Sequence, residues 1–227
     1  DLYVAPSRYF ADVMAARLRL APERVRVVPL GINPAGFDAE MPTPAALRPP
    51  PAVGFFARMC REKGLDTLVE AFLHLRQRGR VPGLRLKIGG SCGPADRRFV
   101  ADLRARLAHA GALEAVDFYA NLDRAAKIKF LRSLTVFSVP ARANEAFGLY
   151  LLEALAAGVP VVQPRAAAFP EILETSGAGE LCEPENPLAL AEALEKVLLD
   201  AEHRQRLARA ARRAVAEFYN ARRMATD

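Results

Sequence analysis

From residue 52 onward the chain switches between two patterns at short, regular intervals. This alternation constrains the fold more than any other feature of the sequence. Strand-like runs stand at 52–57 (AVGFFA), 84–89 (LRLKIG), 115–119 (AVDFY), 134–139 (LTVFSV) and 159–163 (VPVVQ), with a weaker one at 179–182. Amphipathic helical patterns fill the gaps at 65–78, 95–110, 123–132, 148–157 and 187–199. Short apolar strands joined by helical crossovers must run parallel and be covered on both faces. The expected architecture is an α/β doubly wound parallel sheet, Rossmann-like. In such sheets ligands sit beyond the carboxyl ends of the strands, at the topological switch point. That rule directs attention to the loops at 58–64, 89–94, 119–123, 140–148 and 163–171.

The first 37 residues read differently. Leu2 to Pro6 forms a short strand, Ser7 caps a helix reaching about Leu20 with Phe10, Val13, Met14 and Leu18 on one side, and Val25 to Leu30 forms a second strand. Prolines 42, 44, 49, 50 and 51 then stiffen the chain, with Pro34 just upstream. Proline cannot donate to a sheet ladder, so 38–51 reads as a linker and a domain boundary. The expected division is 1–37, linker 38–51, a main domain over 52–200, and a basic helix over 201–227. No internal repeat is apparent. The chain opens at Asp1 inside an apolar segment, which is expected of part of a longer protein.

Apolar residues make up 52% and charged residues 26%, enough to build a core and incompatible with disorder or a collagen-like fibre. No run reaches the ~18 uninterrupted apolar residues of a membrane span. Cys60, Cys92 and Cys182 are odd in number and show no C-x-x-C. They argue against a disulfide framework and a structural zinc site, and fit a reducing cytosol. His74, His109 and His203 fall in helical segments away from the loops named above, so they build no metal site. The net charge is +6, and seven arginines lie between 203 and 223 against one acid, Glu217. Such a helix suits nucleic acid, an anionic membrane or a phosphorylated ligand, and equally a solvated surface. It lacks the aromatic platform on which single-stranded nucleic acid stacks.

Three loops carry groups fit for chemistry. Arg58-Met59-Cys60-Arg61-Glu62-Lys63-Gly64 follows the first strand of the main domain and opens a helix. A helix N-terminus offers unpaired N–H groups and partial positive charge to an anion. Arg58 would grip two phosphate oxygens and Lys63 would add a mobile charge, although a solvated basic loop has the same sequence. Gly89-Gly90-Ser91-Cys92-Gly93-Pro94 allows close backbone approach, as a ligand loop or as a plain turn. It has neither the spacing of a P-loop nor that of the dinucleotide fingerprint. The third segment runs from Glu145 to Pro160, with Gly158 as a C-cap, so its helix begins near Phe147 or Gly148. Glu153 interrupts an otherwise apolar helix and must have a partner or face a cleft. Eight residues of helix separate the two carboxylates by ~12 Å, with the helix N-terminus between them. A ligand with hydroxyls at both ends and phosphates in the middle fits that layout. Two structural ion pairs also account for it.

In order along the chain, these residues resemble the donor-binding, C-terminal half of a GT-B glycosyltransferase, closest to the large retaining family 4. The pattern of a strand, G-R-L-x-x-x-K-G and then a helix corresponds to the segment from Gly54 to Gly64, and E-x7-E with its F-G-L corresponds to Glu145 through Glu153. The E-A-x-A-x-G-x-P-V-V run follows at 153–162, and P-E appears as Pro170-Glu171. Val4-Ala5-Pro6-Ser7 and Val27 to Asn33 look like the end of the acceptor-side domain. The resemblance implies transfer of a sugar from a nucleotide-diphosphate sugar, with retention of configuration and without a cofactor or bound metal. It implies that Arg58 and Lys63 bind the diphosphate together with the backbone of Phe147, Gly148 and Leu149. Glu145 would bind the donor sugar and Glu153 the ribose. Gly89 and Gly90 would approach the donor, and Asn121 and Leu122 would lie by the base. Two departures stand out: Ala166-Ala167-Ala168-Phe169 replaces a glycine pair before P-E, and Ala141 replaces a frequent serine.

The partners so implied are a nucleotide sugar, an acceptor of unspecified class (glycan, lipid or small molecule) and an N-terminal domain, with peripheral membrane contact as an option and no nucleic acid. The implied location is cytoplasmic, with the inner face of the membrane as the alternative. Other readings of the same fold are a non-catalytic regulatory domain and a nucleotide-sugar epimerase or phosphorylase.

Overall fold

Val53 and Phe55 in one strand and Leu86 and Ile88 in the next are completely buried, and they mark the centre of the main sheet. The computed structural model describes residues 2–37, 50–142 and 145–226. Most of the expected linker, 38–49, lies outside the described residues. Among the described residues, six strands pair in parallel: β3 (Ala52–Phe56), β4 (Arg85–Gly90), β5 (Val116–Ala120), β6 (Val136–Phe137), β7 (Val161–Pro164) and β8 (Gly179–Cys182). Their order is β5-β4-β3-β6-β7-β8. The chain winds outward from β3 through β4 to β5 and then returns to β6 on the other side of β3. The switch point therefore lies between β3 and β6, and this is the expected doubly wound fold.

The crossover helices form because their apolar residues share one face. In α2 (Leu65–Arg78), Leu65, Leu68, Val69, Phe72 and Leu75 are all buried. Spacings of three and four place them in one stripe. The helix ends where Gly79 takes φ +64 and returns its N–H to Leu75 and Arg76. Truncating Phe72 to alanine would cost about 3–5 kcal/mol. The other crossovers are α3 (Arg97–His109), α4 (Arg124–Arg132), α5 (Leu149–Ala156) and α6 (Phe169–Ser176), and α7 (Pro187–Leu199) follows the last strand. They are followed by α8 (Ala201–Glu217). Helix α2 packs on α7, and α5 packs on α8.

Three elements depart from expectation. Helix α6 starts inside the loop expected at 163–171 and runs on through residues given no element: Phe169, Ile172 and Leu173 are buried with helical spacing, and Pro170 is tolerated in the first turn. The strand expected at 134–139 pairs only through Val136 and Phe137. The basic segment 201–227 is not one helix. Helix α8 stops at Glu217, and Asn220 caps a separate short helix, α9 (Ala221–Met224). The break has a cause. The Ile32 N–H donates to Tyr219 O at 2.8 Å and the Ala221 N–H donates to Ile32 O at 3.0 Å, so the backbone leaves the helix to pair with the N-terminal segment.

That segment contains β1 (Tyr3–Ala5), α1 (Arg8–Leu18) and β2 (Val25–Val27), with β1 and β2 forming a separate two-stranded parallel sheet. Ser7 caps α1 by accepting from the Phe10 N–H at 3.0 Å. Its hydroxyl also donates to Ala146 O at 2.6 Å, and the Glu171 carboxylate accepts from the Arg8 and Tyr9 N–H groups at 3.0 and 3.1 Å. A carboxylate at a helix N-terminus meets both free donors and favourable dipole. Among the described residues, no helix is long and apolar enough to cross a membrane.

Candidate functional site

An open cleft of ≈ 520 Å³ lies beyond the carboxyl ends of β3, β4 and β5. Phe56, Ala57 and Arg58 line it from the end of β3, Gly90 and Ser91 from β4, Asn121 and Leu122 from β5, and Tyr150 and Glu153 from α5. Gly90 allows two of these loops to approach each other. It takes φ +125, and a Cβ there would stand 1.9 Å from Ala57 O. Asn121 adopts φ +56, a conformation asparagine tolerates better than most residues, and its N–H donates to Gly90 O at 2.9 Å.

Arg58, Lys63, Glu145 and Glu153 each have an internal partner. The Arg58 guanidinium donates through Nε and Nη2 to Asp96 at 2.9–3.2 Å. Asp96 also accepts from the Gly93 N–H at 3.2 Å, just before α3. The hydrogen bond from Arg58 holds the Asp96 carboxyl below its ordinary range despite its desolvation, and Asp96 raises Arg58 in turn. This pairing leaves the Nη1 edge of Arg58 for a ligand, because guanidinium carries five N–H donors. Lys63 Nζ donates to Glu145 Oε2 at 2.5 Å, and the Tyr150 hydroxyl donates to the same oxygen at 2.7 Å. Burial, reinforced by the Glu145 charge, pushes the Tyr150 phenol well above its usual value, so it stays a donor. Glu153 Oε1 accepts from Lys127 Nζ at 2.5 Å.

The predicted residues therefore fall into three groups. Arg58, Gly90, Asn121, Leu122 and Glu153 share the cleft wall. Lys63 and Glu145 lie outside that wall and reach it through Tyr150, whose hydroxyl binds Glu145 and whose ring lies 5.5 Å from Lys63 Nζ. Gly89 is buried inside β4 away from the cleft wall, where a Cβ would stand 2.6 Å from the Phe56 ring. Phe147 turns its side chain inward against Tyr219, ring centroids 6.0 Å apart, whereas Leu149 is exposed. Gly148 takes φ +92 and N-caps α5. The N–H groups of Leu149 and Tyr150 at the start of α5 have no partner within the helix and remain fit for an anion, whereas the Leu151 N–H donates to Gly148 O at 2.8 Å.

Sequence reasoning missed Asp96, Lys127, Tyr150 and Arg142. Arg142 fastens the loop before Glu145 to the loop before α2: its N–H donates to Glu62 O at 3.1 Å and its guanidinium to Asp66 at 2.7 Å. Gly64 sits at that seam with φ +69, under Pro140 O. Only Asp96 left a trace in the sequence, through the Gly93-x-x-Asp96 spacing of a helix start. Among the described residues, no group of three or more His, Cys, Asp or Glu side chains is placed to hold a metal ion.

Comparison with known proteins bears on the family and the fold. The family model described as glycosyl transferases group 1 matches residues 39–214. D-inositol 3-phosphate glycosyltransferase from Stackebrandtia nassauensis is 33% identical over 96% of this chain and 51% of its own length. The protein of the same name from Xylanimonas cellulosilytica is 30% identical over 96% of the chain and 53% of its own length. The chain thus spans about half the length of the curated relatives it matches. Among solved structures, Anabaena HepE in complex with UDP and glucose superposes with a TM-score of 0.83 at 20% identity, covering 99% of this chain and 61% of that one. Sucrose-phosphate synthase from Thermosynechococcus elongatus gives 0.81 at 24% identity, covering 98% and 55%. At these identities the likeness concerns the fold, which is that of GT-B enzymes.

Proposed function

Because the chain belongs to the group 1 glycosyl transferases, we propose that it is the donor-binding, C-terminal half of a retaining family 4 enzyme that transfers a sugar from a nucleotide-diphosphate sugar. The observation that carries this reading is one cleft wall holding Arg58 and Glu153 together, with Tyr150 joining it to the Lys63–Glu145 pair. The ribose would sit at Glu153, the base by Asn121 and Leu122, the diphosphate between Arg58 and the N-terminus of α5, and the sugar at Glu145. HepE's complex with UDP and glucose supports a ligand of this class.

Departure of the nucleoside diphosphate leaves charge on the β-phosphate. In this reading Arg58 and Lys63 neutralise it without a resident metal, an electrostatic contribution that is greatest in the transition state. Lys63 Nζ carries three protons and spends one on Glu145, so it can hold the sugar-binding carboxylate and a phosphate oxygen at once. Asp96 keeps the Arg58 guanidinium oriented before the ligand arrives, which lowers the ordering cost of binding. The acceptor and the groups that recognise it belong to the acceptor-side domain, of which residues 1–37 are the end. The exposed arginines of α8 are available for that domain or for an anionic membrane at the cytoplasmic face.

Calorimetric titration with UDP-, GDP- and ADP-sugars tests the assignment. One of these should bind, and the double variant R58A/E153A should abolish binding. Binding that survived both substitutions would reject the site.

A further inference from the structure

Lys127 is a cationic side chain beside this cleft that no motif accounts for. It lies in the first turns of α4, a helix fixed at its start by Asp123, which accepts from the Ala126 N–H at 2.8 Å, and by Arg124, which donates to Ala35 O at 2.7 Å. From there the Lys127 ammonium reaches two residues of the cleft wall. It donates to Glu153 Oε1 at 2.5 Å, and it stands 5.8 Å from the centroid of the Phe56 ring. The Lys127 and Glu153 side chains are 21% and 20% exposed, so the pair is shielded from water but open to a ligand.

Two physical consequences follow. One oxygen of Glu153 is committed to Lys127, which fixes the carboxylate plane and leaves Oε2 as the acceptor for a ligand hydroxyl. The charge of Glu153 is also compensated where it stands. A diphosphate entering beside an uncompensated, half-buried carboxylate would be repelled. We propose that Lys127 is a positioning residue for ribose recognition: it orients Glu153 toward the ribose hydroxyls and neutralises it, so that one cleft accepts both a diol and a diphosphate. This inference rests on the donor-site reading above. The Phe56 ring adds a cation–π contact to the ammonium.

The test compares UDP, GDP and ADP with their 2′-deoxy counterparts by calorimetry on the wild-type chain, K127M and K127R. The wild type should prefer the ribonucleotide by roughly ten-fold, the value of one hydrogen bond to a charged acceptor. K127M should lose most of that preference and bind every diphosphate more weakly, whereas K127R should keep it. K127Q replaces K127M if the latter does not fold, with the same expected loss. A merely structural role for Lys127 would lower the melting temperature and leave the ribose-to-deoxyribose ratio unchanged, and that result overturns the proposal. A wild-type chain that binds the diphosphates without preferring ribose also overturns it, while the donor-site reading stands. A wild-type chain that binds none of them removes both.

Discussion

Lys63 and Glu145, 82 residues apart in the chain, meet at 2.5 Å, and the Tyr150 hydroxyl closes on the same carboxylate oxygen. The loop after β3 and the loop after β6 are thereby held in one register at the switch point. Two donors on Oε2 leave Oε1 as the free acceptor of Glu145.

Tyr150→Phe removes one of those donors and keeps the ring in the cleft. The variant should lose about 1–2 kcal/mol of stability, read by urea or thermal unfolding. Its affinity for a nucleotide sugar should fall several-fold while its affinity for the bare nucleoside diphosphate stays the same. Equal loss for both ligands would show that Tyr150 acts on the cleft as a whole rather than through Glu145.

Asp96→Asn tests the anchoring of Arg58. Asp96 lies outside the cleft wall, yet the variant should bind nucleoside diphosphates several-fold more weakly. The native pKa of Asp96 is depressed, so its contribution to stability is complete above the ordinary aspartate pKa of about 3.9 and vanishes as pH falls through the lower native value. The stability curve of D96N should therefore be flatter on its acid limb than that of the wild type. Parallel curves would exclude the pair as a source of acid sensitivity.

Gly90→Ala should be severe. The new methyl group would meet Ala57 O at 1.9 Å from a backbone already at φ +125. Overpacking and the unfavourable φ together cost roughly 2–4 kcal/mol. Denaturation should report that loss, and ligand binding should disappear with the displaced loop. A stable, binding-competent G90A would contradict the close approach of the two loops.

Ala167→Gly should do the opposite. Ala167 holds φ +53 in the segment 166–169, where the resemblance noted in the sequence leads one to expect a glycine pair. Relief of left-handed strain, less the extra freedom of an unfolded glycine, should stabilise the chain by roughly 0.5–1 kcal/mol. For a chain of this size the melting temperature should rise by about 2 °C. A lower melting temperature would mean that the alanine methyl makes a compensating contact.

Local patterns carried most of the fold. The bounds expected for α2 and α7 coincide with the structure, because Gly79 and Asn186 punctuate them in sequence as they do in space. Helix α6 escaped notice because three alanines and a proline hide its start, and only burial of Phe169 and Ile172 reveals its face. In the site, Glu153 was legible because an acid in an apolar helix demands an explanation. Its partner was not legible, since Lys127 is 26 residues away and is one of several cations along α4. The same holds for Arg58 and Asp96, 38 residues apart. Which cation meets which carboxylate depends on how neighbouring crossovers are set against each other, and no periodicity records that.

The pairing of Ile32 with the backbone on either side of Asn220 has a mechanical side. The N-terminal segment is fastened to the main domain at several separate places: Ser7 bonds to Ala146 O, Glu171 holds the start of α1, Arg124 bonds to Ala35 O, and the returning tail pairs with Ile32. Fastenings spread over the length of a segment resist swinging as well as sliding. Trimming the last few residues would undo one of these fastenings and leave the others in place.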